Sequence, residues 1–429
     1  MIQSFNKINR VKGELTFSGD KSISHRALLM SSLADGKSKI KNLSNSDDVK
    51  CTITCLEALG IENKSLEGEI ILNGKGFKGY QKPLNPLNAG NSGTTARLLA
   101  GVLSAQNFES VITGEPSLST RPMNRIIEPL SQMGCDIKSN EGKLPLHIYS
   151  LNNFYSINYE MPIASAQVKS AILLAGLHLN DETSVTETRV TRNHTETLLG
   201  LTIVNFDQKI ISYASKKNYP QPKDYFIPGD ISSAMFFIVL TLLNKKSELL
   251  IKNVSLNSTR TESLLLLKKM GGDIHIEVVG ESNNELFGDV LVKSSQLSNA
   301  KIEPKIVPLI IDEIPILSVA GIFAKGDFDI RGAEELRVKE SDRIKSLIFN
   351  FRLLGLDVEE FSDGFLISGK IKKQNQPFKS FGDHRIAMAF AVLSSLLKDG
   401  AKVEGFESVS KSNPDFLEPL QSSQSSKPK

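Results

Sequence analysis

The chain has 429 residues, 40% hydrophobic, 7% aromatic and 23% charged, an ordinary globular balance that excludes a disordered, collagenous or fibrous protein. The 51 basic residues nearly balance 48 acidic ones, and a net charge of +3 is too small for a protein that coats nucleic acid. The length suits two or three domains, and Cys51, Cys55 and Cys135 are too few for a disulfide framework.

In chain order, Met1–Gly13 carries Lys7, Arg10 and Lys12 but no following apolar stretch, so no signal peptide is visible and a cytoplasmic, reduced compartment is expected. Cys51 and Cys55, four apart on a helical pattern, have no second paired cluster that would suggest zinc. Six segments then repeat one design, a short polar start running into an apolar helix. They are Gly19-DKSISHRALLMSSLADG, Gly90-NSGTTARLLAGVLS, Ala164-SAQVKSAILLAGLHLND, Gly229-DISSAMFFIVLTLLNKK, Asp312-EIPILSVAGIFAKG and Gly382-DHRIAMAFAVLSSLLKDG. Their starts lie 71, 74, 65, 83 and 70 residues apart. A second helical series closes on Gly60, Gly134, Gly200, Gly271 and Gly355, a helix-stop signal. Short β-rich runs such as Glu69-IILNG, Ser110-VITG, Leu249-LIKNV and Phe365-LISG lie around these helices. The pattern predicts six α+β units of about 70 residues, divided into two domains of three. Unbroken apolar runs are short, Ala234–Leu240 being seven residues, and fall far short of a membrane span, so no membrane partner is expected. Residues 421–429 are Ser, Gln, Lys and Pro and are expected to be disordered.

The repeated helix is apolar nearly all round, which predicts burial. Its start then leaves backbone N–H groups and the positive dipole end at the rim of the domain, an anion-binding surface. Two such domains facing each other would form a cleft for a polyanionic ligand. The basic residues divide into 38 Lys and only 13 Arg, and eight of the arginines fall at these starts or in a few segments between them. They are Arg26, Arg97, Arg121, Arg125, Arg192, Arg337, Arg343 and Arg385, accompanied by Lys21, Ser22, Ser24, Asn91, Ser92, Thr94, Ser165, Gln167, Lys169, Lys339 and His384. Arginine's planar fork binds carboxylate or phosphate through two hydrogen bonds, which lysine cannot copy. Any single arginine could equally be a helix-end charge; the clustering is the signal. GDKS at Gly19 lacks the spacing of a phosphate-binding loop, the six histidines show no metal-ligand spacing, and no G-x-S-x-G elbow is present. Asp312 and Glu313 lie in an otherwise apolar run, and Glu340 follows Lys339; a carboxylate in apolar surroundings titrates near neutrality and serves as acid or base. The plainer alternative has Asp312 capping a helix and Glu340 solvated.

Taken together, GDKSISHRALL, GNSGTTARLL, TRPM, SAQVKSA, TRNHTE, PGDISSA, IDEIPIL, EELRVKESDR and GDHRIAMA resemble the 5-enolpyruvylshikimate-3-phosphate synthase family, in family order from about Gly19 to Asp415. The wording of DKSIS, SAQVKSA, IDE and VKESDR is similar to the second bacterial subgroup. The resemblance implies an α/β fold of two domains, each of three βαβαββ units, one spanning 18–227 and the other 1–17 plus 228–429. It implies transfer of the enolpyruvyl group of phosphoenolpyruvate to the 5-hydroxyl of shikimate 3-phosphate, by addition and then elimination of phosphate, with neither metal nor organic cofactor. By the same resemblance Lys21, Ser22, Arg26, Ser165, Ala166, Gln167, Arg192, Asp312 and Lys339 hold shikimate 3-phosphate. Lys21, Gly93, Arg121, Gln167, Arg343, Arg385 and Lys411 meet phosphoenolpyruvate, with Gly93 as the floor of that pocket and Lys411 resting on the short match KSNPDF. Asp312 is the implied base toward the hydroxyl, Glu340 the acid and then base at C3, and Lys21 an aid to proton transfer. A monomer acting on these two small molecules, and on no nucleic acid, is expected. Two rivals remain: the UDP-N-acetylglucosamine enolpyruvyl transferases, whose early Lys-Asn and loop cysteine are missing here, and a non-catalytic anion-binding homologue.

Overall fold

An apolar helix buried on every side has to satisfy its first N–H groups without water, and the polar starts do this. In the computed structural model, which describes residues 1–66, 68–149, 153–372 and 376–422, five of the six repeated helices carry a side-chain cap. Asp20 accepts from Ile23 N ahead of helix Lys21–Leu33, Ser92 from Thr95 N ahead of Gly93–Leu103, and Ser165 from Val168 N ahead of Ala166–Gly176. Asp230 accepts from Ser232 N ahead of Ile231–Leu243, and Asp383 from Arg385 N ahead of His384–Leu396. Burial is as complete as the composition predicts: every residue from Ile23 to Leu33, Ile231 to Leu242 and His384 to Ser395 is buried.

The fifth helix departs from the pattern. It runs Ile314–Phe323, two residues later than its Asp312 start suggested, with Pro315 in its first turn and no side-chain cap. Asp312 is therefore not a capping residue, and its carboxylate is left for other partners.

The chain divides into two compact units, a first of Ser18–Pro228 with Glu281–Glu285 and a second of Met1–Phe17, Gly229–Gly280 and Leu286–Lys429. The first unit holds three four-stranded sheets of one design. In each, a short edge strand (Asp224–Phe226, Leu87–Asn88 or Asn158–Glu160) pairs parallel with the next strand (Asp35–Lys41, Ser110–Thr113 or Thr183–Glu187). An antiparallel hairpin completes the sheet: Glu62–Leu66 with Glu69–Lys75, Ile137–Asn140 with Lys143–Ile148, Thr202–Phe206 with Lys209–Ala214. The glycines that close the second helical series (Gly60, Gly134, Gly200, Gly271, Gly355) all have positive φ, between 62° and 99°. They stop each helix and turn the chain into its hairpin at no steric cost.

The second unit varies the design. Lys12–Leu15 supplies the parallel strand beside Glu248–Ser255. The next sheet has three strands, Phe328–Ile330, Gly364–Ser368 and Asp357–Phe361, all antiparallel. In the sixth unit no hairpin follows among the described residues: Phe378–Lys379 pairs parallel with Ala401–Glu404, whose other edge is filled by Ile2–Phe5. Each unit packs its helices and sheet faces around its own hydrophobic core. Among the described residues no single helix is long and apolar enough to cross a membrane. Of the tail 421–429, Gln421 and Ser422 end a helix, Leu417–Ser422, and 423–429 lie outside the described residues. Burial pushes the thiol of Cys55 up to about 12, and Cys51 on the same helix to about 11, as inert structural thiols.

His178, just past the third repeated helix, stacks on Phe77 at 3.9 Å and meets Tyr219 edge-on at 5.6 Å. Its ring nitrogens are buried with no hydrogen-bond partner among the described residues, and burial brings its pKa down to about 3. The folded chain therefore refuses a proton that the unfolded chain takes below its usual value of 6.5. Stability present above that value is lost as pH falls from 6.5 toward 3, at up to about 1.4 kcal/mol per pH unit. In urea titrations across this window, His178→Phe should lose stability less steeply than the parent; equal slopes would contradict the assignment.

Candidate active site

The polar helix starts carry several of the predicted site residues, Lys21, Ser22, Gly93, Ser165, Ala166, Gln167 and Arg385 among them. In the first unit, Lys21 opens the first repeated helix and its Nζ lies 2.7 Å from Asp48 Oδ2. One turn on, Arg26 donates from Nη1 to the Ser22 carbonyl at 2.9 Å, from Nη2 to Ser170 Oγ at 2.7 Å and from Nε to Thr195 Oγ1 at 2.7 Å. Burial brings Arg26 down to about 10; Glu196 and Asp20 pull it up, and Arg192 pushes it down. Arg192 is thus close enough for the two cations to feel each other, as an anion-binding pair requires.

At the second start, Gly93 follows the Ser92 cap, and a Cβ there would lie 2.8 Å from Arg97 Nη1 and 3.4 Å from Arg121 Nη1. The absence of a side chain is what lets both guanidinium groups close over this turn. At the third, Ser165 caps, Ala166 opens the helix, and the Gln167 amide is held at both ends. Its Oε1 accepts from Arg97 Nη1 at 2.5 Å and its Nε2 donates to Thr94 Oγ1 at 2.9 Å, which sets the orientation of the amide.

Behind these starts runs a chain that the sequence pattern did not announce. His25 Nδ1 and Thr52 Oγ1 are 2.7 Å apart, Thr52 Oγ1 and Thr95 Oγ1 2.7 Å, and Thr95 Oγ1 reaches Ser92 Oγ at 2.8 Å. It ties the first helix to the turn that carries Gly93. Burial, then the charges of Lys21 and Arg26, hold His25 well below its ordinary value, so it serves as a neutral link.

Lys169 differs from its expected place among the anion-binding residues. It is 1% exposed, with Glu196 Oε1 at 2.6 Å and Glu187 Oε2 at 3.0 Å. Glu187 also accepts from Thr191 Oγ1 at 2.7 Å, which fixes the loop leading to Arg192. Lysine here is a point charge for two carboxylates.

In the second unit, Arg343 is 1% exposed and gathers three carboxylates. Its Nε donates to Asp383 Oδ2 at 2.7 Å, Nη1 to Asp312 Oδ1 at 3.1 Å and Nη2 to Glu340 Oε2 at 2.5 Å. Burial works against the charge, but Asp383, Glu340 and Asp312 together hold the guanidinium above its usual range. Arg385 lies 3.9 Å from Asp312 Oδ2 and 3.5 Å from Glu313 Oε1. Asp312 and Glu340 therefore face guanidinium groups rather than the apolar surroundings that the run VPLIIDEIPIL suggested, and Glu340 is not a solvated surface charge. Lys339, half-buried, precedes Glu340, and Lys411 Nζ donates to the Gly382 carbonyl at 2.9 Å, beside the sixth start. Arg337 instead braces its own loop, bonded to Asp342 at 3.0 Å and Glu360 at 2.9 Å.

Two more residues here, Asp383 and Arg260, were not singled out from the sequence. Asp383 accepts from the Arg385 backbone N at 2.8 Å as well as from Arg343, so one carboxylate sets both arginines. Buried Glu313 is bonded by Ser232 Oγ, which itself accepts from Arg260 Nη2. The signal for Asp383 was its position as a helix cap; Arg260 had none.

A family model described as EPSP synthase (3-phosphoshikimate 1-carboxyvinyltransferase) matches residues 5–420. The chain belongs to the EPSP synthase family. It is 47% identical over 415 residues to the 3-phosphoshikimate 1-carboxyvinyltransferase of Petrotoga mobilis, a match covering 95% of this chain and 96% of the relative. The solved EPSP synthase of Acinetobacter baumannii is 36% identical with a TM-score of 0.84, and the match covers 98% of each chain. The enolpyruvyl transferase NikO of Streptomyces tendae has a TM-score of 0.76 at 14% identity, covering 98% of this chain and 96% of that one, a likeness of fold alone. Membership in the EPSP synthase family accords with the repeated units.

In this EPSP synthase family chain, the Lys169 triad joins the third repeated helix to the 187–196 segment. Lys169→Met leaves Glu187 and Glu196 buried without a cation and should lower stability by about 3–5 kcal/mol in urea unfolding. A loss under ~1 kcal/mol would mean the triad is not what joins these elements.

Proposed function

We propose that the chain transfers the enolpyruvyl group of phosphoenolpyruvate to the 5-hydroxyl of shikimate 3-phosphate and releases phosphate. Ser22, Arg26, Ser165, the Ala166 backbone, Gln167 and Arg192 hold shikimate 3-phosphate, with Asp312 and Lys339 at its hydroxyls. Lys21, Arg121, Gln167, Arg343, Arg385 and Lys411 bind phosphoenolpyruvate over the floor made by Gly93. Bidentate arginines and helix starts offset the repulsion between two anionic substrates.

Asp312 takes the proton of the 5-hydroxyl as its oxygen attacks C2, while Glu340 delivers a proton to C3. In the second half of the reaction Glu340 recovers a proton from C3 as the C–O bond to phosphate breaks, and Lys21 assists the leaving phosphate. The observation that carries this reading is the grouping of Asp312 and Glu340 on the single guanidinium of Arg343, at 3.1 and 2.5 Å. Acid and base are thereby held beside an anion-binding cation, where general acid–base catalysis needs them. The same reading has the chain acting as a cytoplasmic monomer.

The test is phosphate release from phosphoenolpyruvate with and without shikimate 3-phosphate, in EDTA, for the parent and for Asp312→Asn and Glu340→Gln. Release should require shikimate 3-phosphate, survive EDTA and fall at least ~100-fold in both variants. Release with UDP-N-acetylglucosamine instead would keep the fold and overturn the substrate, and silence with both would leave an anion-binding relative.

Gly93 supports a second expectation. The family resemblance implies that glycine at this position leaves glyphosate room to compete with phosphoenolpyruvate. Gly93→Ala pushes a methyl group toward Arg97 Nη1 and Arg121 Nη1, at 2.8 and 3.4 Å. It should raise the KM for phosphoenolpyruvate and weaken glyphosate together, leaving the KM for shikimate 3-phosphate nearly unchanged. No competition by glyphosate at millimolar concentration in the parent would refute it.

A further inference from the structure

Arg26 is 3% exposed, yet every oxygen it bonds among the described residues is neutral: Thr195 Oγ1, Ser170 Oγ and the Ser22 carbonyl. This contrasts with Arg343, where three carboxylates take the guanidinium nitrogens. The Ser170 and Thr195 hydroxyls are themselves 2.7 Å apart, so one donates to the other. They meet Nη2 and Nε, the side edge of the guanidinium, where a bidentate carboxylate would otherwise bind. A carboxylate at that edge would grip harder and cancel the charge; two hydroxyls give the edge its geometry and leave the charge intact. A guanidinium has five N–H donors. Three are engaged, and one remains on each of Nη1 and Nη2, a fork of two donors.

We propose that the Ser170–Thr195 hydroxyl pair is a positioning device that aims this fork of Arg26 at an anionic group of shikimate 3-phosphate without neutralising it. The proposal rests on the reading that Arg26 holds that substrate. The hydroxyls are in turn immobilised. Ser170 follows Lys169 on the third repeated helix, Thr195 precedes Glu196 on helix His194–Leu199, and Lys169 Nζ and Glu196 Oε1 lock these two elements together at 2.6 Å. A charged pair one residue away thus supplies rigidity while the residues that touch Arg26 stay uncharged.

Steady-state kinetics of the full chain tests this with Thr195→Val, Ser170→Ala, the double variant, Thr195→Ser and Arg26→Lys, each with its urea midpoint measured in parallel. Thr195→Val and Ser170→Ala should each raise the KM for shikimate 3-phosphate about tenfold, the loss of one hydrogen bond to a charged group. The KM for phosphoenolpyruvate should stay within about twofold, and Thr195→Ser, which keeps the hydroxyl, should restore the parent value. A general loss of structure would move both KM values and kcat with the urea midpoint, and that outcome overturns the proposal. So does a double variant whose KM for shikimate 3-phosphate is unchanged while Arg26→Lys raises it. If Arg26→Lys also leaves that KM unchanged, the assignment of Arg26 to the substrate falls as well.

Discussion

Placing guanidinium groups out of water, and keeping them charged and correctly aimed, is the demand on which the rest of this structure depends. Removing an ion from water costs several kcal/mol even after relaxation, so a buried guanidinium has to be held by hydrogen bonds. The chain meets the demand in two ways. Arg343 is surrounded by carboxylates from three separate stretches, Asp312, Glu340 and Asp383. Arg26 is fixed by two hydroxyls and a carbonyl. The first arrangement secures a cation and places acidic groups where proton transfer is proposed. The second bonds the guanidinium only through neutral oxygens, as the proposed role toward an incoming anion needs.

The repeated buried helix makes both arrangements possible. Its apolar body is fully desolvated, so its first turn must bring hydrogen-bonding side chains of its own, and Asp20, Ser92, Ser165, Asp230 and Asp383 do so. Once polar residues are required at that point, binding residues can share the same turn at little further cost. Asp383 illustrates the economy: one oxygen caps the sixth helix at the backbone N of Arg385, and the other orients Arg343. Only the fifth helix lacks a side-chain cap among these six. There Asp312 and Glu313 are committed to arginines instead, so the start that gives up its cap is the one that carries the proposed base.

Much of this was legible in the sequence because it is local. A 70-residue period, a polar start before an apolar run, and a glycine after a second helix are patterns within a few residues of each other, and the glycines at 60, 134, 200, 271 and 355 all take the positive φ that a helix stop requires. The concentration of eight arginines at those starts and in a few segments between them was legible for the same reason. What stayed hidden depends on pairs distant in the chain. His25 and Thr52 are 27 residues apart, Arg26 and Thr195 169 apart, and Ser232 and Glu313 81 apart. Lys169 was misread because a lysine at a helix start looks the same whether it faces a substrate or two buried glutamates. Asp312 was misread as lying in apolar surroundings, because its chain neighbours are apolar while its spatial neighbours, Arg343 and Arg385, arrive from 31 and 73 residues away.

The imbalance of 38 lysines to 13 arginines also has a structural reason. A lysine suffices where a charge is solvated, and it suffices at position 169, where Glu187 and Glu196 approach a single nitrogen. It would fail at Arg343, because three carboxylates on three different nitrogens need a planar fork that spaces them apart, and Asp312 and Glu340 must not converge on one point. It would fail at Arg26 for a different reason. An ammonium bonded to two hydroxyls and a carbonyl has no N–H left, whereas the guanidinium bonded to the same three oxygens keeps two. The choice of arginine at these sites is thus a count of donors as much as a choice of charge.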